Sequence, residues 1–72
     1  MNYAERAAKT YANYSKYRDK KHLTDNKIAT RAGISSVTIT HWKRGDYTPK
    51  DDKINAIAEV LGISSEKITN YR

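Results

Sequence analysis

Between Thr24 and Gly45 the chain has room for two helices and almost none for a connection between them. Thr24 is of the type that caps a helix N-terminus, and Asp25 after it suits the positive end of a helix dipole. Ile28, Ala29 and Ala32 then fall on one face until Gly33, which tolerates the positive φ that ends a helix. Ser35 is a second N-cap two residues further on, and Gly45 a second stop. Two helices joined so closely cross steeply, so the first must offer a small side chain where its neighbour approaches, and Ala29 does. Ile34, Ile39 and Trp42 lock the second helix onto the first. At about 100° per residue this leaves Val37, Thr40, His41 and Arg44 on the outer side, a face whose one fixed charge is Arg44.

The flanking segments read as further helices. Asn2 followed by Glu5 has the capping-box spacing, so a helix starts at Tyr3. Ala4, Ala7, Ala8, Tyr11, Tyr14 and Tyr17 recur at helical steps along it, until Lys20 and Lys21 meet the negative end of its dipole. Gly45-Asp-Tyr-Thr-Pro49 is a turn, with Pro49 fixing the start of a helix that runs to Leu61. Its inner stripe is Ile54, Ile57, Ala58 and Leu61, and Gly62 stops it. Ser64 or Ser65 caps a last short helix carrying Ile68 and Tyr71. The expectation is a single all-α domain of five helices over residues 1–72.

Composition narrows the function. With no cysteine in 72 residues, disulfides, thiolate metal sites and cysteine nucleophiles are excluded, and the chain suits a reducing compartment. His22 and His41 lie far apart with no carboxylate at ligand spacing, so neither a metal nor another cofactor is expected. No nucleophile with its base, pair of carboxylates or phosphate-cradling glycine loop assembles, which argues against an enzyme. Residues 1–22 lack the apolar run of a signal peptide, and the alanine and tyrosine of the first helix are too weakly apolar for firm membrane insertion. The formal net charge is +6, of which residues 1–22 carry +4, residues 23–45 carry +3 and residues 46–72 carry −1. A pI near 9.7 with this asymmetry fits a polyanion partner, although lysines that only keep a small domain soluble would give the same total.

Residues 23–45, LTDNKIATRAGISSVTITHWKRG, resemble the helix-turn-helix of the phage repressor and Cro (XRE-like) family. The likeness continues through Thr48-Pro49, residues 57–63 and Ser64 to Ile68, and begins upstream near Tyr14-Ser-Lys-Tyr-Arg18, covering roughly residues 11–68. It implies a five-helix, lambda-repressor-like DNA-binding domain with its helix-turn-helix at about residues 25–44 and its third helix in the major groove. By the family pattern Ser36, Val37 and His41 face base edges. Thr40 joins them from the helical wheel. Arg18, Thr24, Asn26, Ser35, Lys43, Arg44, Tyr47 and Thr48 approach phosphates. Val37 suits a thymine methyl, and His41 suits donation to guanine N7 or O6.

The implied partner is double-stranded operator DNA, bound as a twofold homodimer by a repressor of the bacterial cytoplasm and nucleoid, with Ile68 and Tyr71 or the first turns as candidate subunit contacts. The alternative is an antitoxin or adaptor whose protein partner, bound through helix 1 or helix 5, is primary and whose DNA binding is autoregulatory. Three positions depart from the family. Asp25 stands where glutamine is common, and it either stabilises its helix N-terminus or accepts from a cytosine amino group. Lys43 replaces an acid that pairs with the arginine matching Arg18, so Arg18 is released to phosphate or finds another carboxylate. Residues 1–10 extend beyond the usual helix 1, and they lengthen that helix, reach another groove as an arm or offer a partner-binding surface.

Overall fold

Cap chemistry decides where the backbone turns. The computed structural model describes residues 2–70, which form α1 (Tyr3–Lys20), α2 (Asp25–Ala32), α3 (Ser36–Arg44), α4 (Asp51–Leu61) and α5 (Glu66–Thr69), with no strand among them. Asn2 Oδ1 accepts from the Glu5 amide at 2.8 Å, and the Glu5 carboxylate accepts in return from the Asn2 side-chain amide at 3.3 Å. Thr24 Oγ1 accepts from the Lys27 amide, and Ser35 Oγ from the Val37 amide, each at 3.2 Å. Gly33 holds φ at 71° between the two helices, and a Cβ there would meet open space, so backbone conformation alone selects glycine.

The last two starts differ from expectation. Lys50, not Pro49, occupies the N-cap of α4 and makes no side-chain cap. Asp51 and Asp52 in the first turn answer the dipole instead. Pro49 is buried one residue earlier. Neither serine caps α5 with its hydroxyl: Ser65 is the N-cap without a side-chain bond, and the Ser64 and Ser65 carbonyls start the helix by accepting from Lys67 and Ile68.

The core is Trp42, Tyr14, Ile28, Ile39, Ile54, Ile57, Leu61 and Ile68, with Ala7, Ala29 and Ala58 where helices approach closely. Helix α2 packs on α3 and α4, while α1 packs on α3 and α5. The stripe expected along α1 is corrected: Ala4 and Ala8 are exposed, and Ala7, Thr10 and Tyr14 form the fully buried line. Thr10 is tolerated inside because its hydroxyl is satisfied twice. It donates to the Arg6 carbonyl at 2.7 Å and accepts from Trp42 Nε1 at 2.9 Å. The Trp42 indole also lies 4.9 Å from the Tyr14 ring and edge-on to Tyr11 at 5.5 Å.

Ile68 is fully buried, so it is core and not the subunit contact that its place on the last helix suggested. Tyr71 lies outside the described residues. Asn13 joins α1 to α5 by donating to the carbonyls of Ile68 at 3.0 Å and Asn70 at 2.7 Å. No helix among the described residues is long and apolar enough to cross a membrane.

Replacing Thr10 by valine keeps the volume and strands the Trp42 N–H without an acceptor. Urea unfolding of Thr10→Val is expected to show a loss of about 1–3 kcal/mol, the cost of leaving a buried donor unmade. Trp42→Ala is expected to lose about 3–5 kcal/mol. A Thr10→Val midpoint equal to that of the wild type would show that the indole hydrogen bond contributes nothing.

Candidate nucleic-acid interface

The outer face of α3 is positioned from behind by α1, through two attachments. One is the Trp42 indole on Thr10 and Tyr14. The other is Asp25, the first residue of α2, whose carboxylate turns back to α1. It accepts from the Tyr14 hydroxyl at 2.6 Å, the Tyr11 hydroxyl at 2.8 Å and Arg18 Nη1 at 2.8 Å. Arg18 Nη1 also donates to the Tyr11 hydroxyl at 2.9 Å, and Arg18 Nε and Nη2 donate to Asp19 Oδ1 at 3.0 and 2.9 Å. The guanidinium lies over the Tyr14 and Tyr11 rings at 5.6 and 5.9 Å.

Burial alone would push the Asp25 carboxyl up, but the hydrogen bonds from Tyr14, Arg18 and Tyr11 outweigh it and hold the group below the usual carboxylate range. Burial would likewise favour the neutral form of Arg18, and its bonds to Asp25, Asp19 and Tyr11 reverse that. Tyr14 is pushed well up, first by burial and then by donating to Asp25. Of the two routes open to Arg18, the structure takes the second carboxylate. Asp25 is engaged with α1 and presents no free oxygen pair for a cytosine amino group.

Helix α3 has two unlike sides. Ile39 and Trp42 are fully buried, whereas Val37 is 57% exposed and Ser36, Thr40, Lys43 and Arg44 are exposed with it. Ser35 at its cap and Thr24 and Asn26 at the start of α2 are also exposed. The Thr40 hydroxyl donates to the Ser36 carbonyl at 3.1 Å, which leaves it free to accept. Tyr47 is half-exposed and stacks on the His41 ring, with centroids 5.6 Å apart and planes at 25°. Thr48 departs from expectation: its hydroxyl is buried and has no hydrogen-bond partner, so its side chain is not offered to a phosphate.

One residue of this face escaped sequence reasoning. His41 Nδ1 lies 2.7 Å from Asp46 Oδ2, and Arg44 Nε lies 3.8 Å from the same oxygen. The hydrogen bond from His41, followed by the Arg44 charge, holds the Asp46 carboxyl below its ordinary range. The signal was present in Gly45. With Gly45 at φ 85°, the chain reverses and the Asp46 amide donates to the His41 carbonyl at 3.0 Å, the bond that closes a Schellman motif. That closure returns residue 46 to the side of residue 41.

Two short helices joined through a left-handed glycine, the second locked from behind and bare in front, define a helix-turn-helix DNA-binding domain. The chain matches the helix-turn-helix family model over residues 15–68 and belongs to that family, in its phage repressor/Cro-like (XRE) branch of DNA-binding regulators. No curated protein and no solved structure matches the chain. Thr10, Tyr11 and Tyr14 precede the matched stretch, yet they supply most of the contacts that fix α1 to Asp25 and Trp42.

Because Asp25 is held below its unfolded value of about 3.9, its contribution is complete above that pH and is lost as pH falls through the lower folded value. Asp25→Asn is therefore expected to lose about 1–3 kcal/mol at neutral pH. The gap should narrow below about pH 4 and close in stronger acid. A gap independent of pH between about 2 and 7 would show that the carboxylate charge is not what holds α2 to α1.

Proposed function

We propose that this domain is a sequence-specific transcriptional repressor that binds a twofold operator in double-stranded DNA as a homodimer, with α3 in the major groove, and acts by excluding polymerase. The observation that supports this best is the two-sidedness of α3: one side is buried completely around Ile39 and Trp42, and the other is unoccupied and polar around the single exposed apolar residue Val37. Ser36, Val37, Thr40 and His41 meet base edges. Thr24, Asn26, Ser35, Lys43, Arg44, Tyr47 and the backbone at Thr48 meet phosphates. Arg18 acts behind them: its charge is already answered by Asp25 and Asp19, and it serves by fixing the start of α2.

Electrostatics favour the same partner. Residues 23–45, which hold the helix-turn-helix, carry a net +3, which suits release of phosphate counterions. A protein-docking role through helix 1 or helix 5 has less support, because Ile68 is in the core and Tyr3, 71% exposed, is flanked by small and charged residues.

Selection of bound duplexes from a random pool is expected to yield an inverted repeat with half-site centres about 34 Å apart. Lys43→Ala and Arg44→Ala should weaken every duplex alike and flatten the log K against log salt slope by about one unit each. Val37→Ala should instead relax a thymine preference at one base pair. Absence of any consensus, with unchanged salt slopes in both cation variants, contradicts the docking proposed here.

A further inference from the structure

His41 has two ring nitrogens, and one of them is committed. An ionised carboxylate accepts hydrogen bonds and donates none, and the bond from His41, with the nearby Arg44 charge, holds the Asp46 carboxyl below its ordinary range. Nδ1 is therefore the donor in the 2.7 Å contact. When the imidazole is neutral its single proton sits on Nδ1 and Nε2 carries a lone pair; when it is charged both nitrogens carry protons. Among the described residues Nε2 has no hydrogen-bond partner.

The ring is held in this arrangement from two sides. Tyr47 stacks on its face, and Asp46 is fixed beside it by the backbone bond from the Asp46 amide to the His41 carbonyl. The titratable and charged groups facing the ring are Asp46 and Tyr47 from the loop after α3, and Arg44 from α3 itself through the shared carboxylate. Asp46 is half-exposed, and its described side-chain contacts are His41 and Arg44, so it can be replaced without opening the core.

We propose that Asp46 sets the base specificity of His41: by keeping the proton of the neutral ring on Nδ1, it makes the ring present an acceptor, Nε2, to the groove. Adenine N6 and cytosine N4 donate into the major groove, whereas guanine O6 and N7 accept. A neutral His41 thus selects an amino-bearing base, and the simple donation to guanine expected from the sequence belongs to the imidazolium. Asp46 touches no base and is a positioning residue. The inference rests on the docking of α3 proposed above.

The test has one arm without DNA and one with it. Long-range proton–nitrogen correlation spectra of the free 15N-labelled protein at about pH 8.5, where imidazoles are neutral, should show Nδ1 protonated and Nε2 bare. Imidazole by itself favours the opposite tautomer, and Asp46→Ala should restore it. The pair read by His41 is the one whose preference disappears in His41→Ala. In competition between duplexes differing there, the wild type should favour adenine over guanine at about pH 8.5, by about five- to tenfold. Asp46→Ala should favour guanine instead.

A wild-type ring protonated on Nε2 at high pH, in a protein that still binds its consensus, overturns the role of Asp46 and leaves the docking intact. An Nδ1-protonated ring with a preference for guanine over adenine at that pair overturns the base assignment. An Nδ1-protonated ring in a protein with no sequence preference at all overturns the docking of α3, and the base assignment with it.

Discussion

The Asp25 carboxylate accepts from two tyrosines and an arginine of α1, and the placement of α2 and α3 follows from those three bonds. A partly buried carboxylate with fewer donors would favour its neutral form or swing to solvent. With three donors its charge is retained and the start of α2 is fixed against the long helix. Trp42 supplies the second attachment, through Thr10 and the Tyr14 ring. Because both attachments end on α1 within two turns, the angle between α2 and α3 is set by a third element as well as by the short turn at Gly33.

That construction separates support from contact on α3. Ile39 and Trp42 carry the packing, so the residues at the other side of the helix are free of structural duty and available for recognition. Arg18 shows the same economy in charge. It is the cation best placed to be mistaken for a phosphate ligand, yet two carboxylates and a tyrosine hydroxyl already surround it. The cations left exposed on α3 are Lys43 and Arg44, and Arg44 lies near a carboxylate whose stronger partner is His41.

Local signals made the helix order legible. Thr24, Gly33, Ser35 and Gly45 mark the helix-turn-helix because caps and left-handed glycines act over four residues, and Ile54, Ile57, Ala58 and Leu61 declare their face by period alone. Contacts that join distant segments were less visible. Thr10 looks like a surface residue until Trp42, 32 positions away, is known to need an acceptor. Asp25 reads as a helix-start acid because nothing local reveals that Tyr11 and Tyr14 converge on it. Ile68 sits on a helix of four residues, too short for a period to show which side is inward. Asp46 was legible in principle, since a glycine stop returns the next residue to the preceding turn, but a lone acid in a turn has no pattern to single it out.

In the proposed docking, α3, held from behind by α1, meets DNA with its free face, and the exposed Lys9, Lys16 and Lys20 of α1 stay clear of it. Amide chemical-shift mapping of the labelled protein titrated with its selected duplex tests this most directly. The perturbed amides are expected to cluster at Thr24 to Asn26, Ser35 to Arg44 and Tyr47 to Thr48, with those of Lys9, Lys16 and Lys20 on the outer side of α1 unmoved. Perturbation centred on Lys9, Lys16 and Lys20, with Ser36 to His41 unchanged, would contradict it.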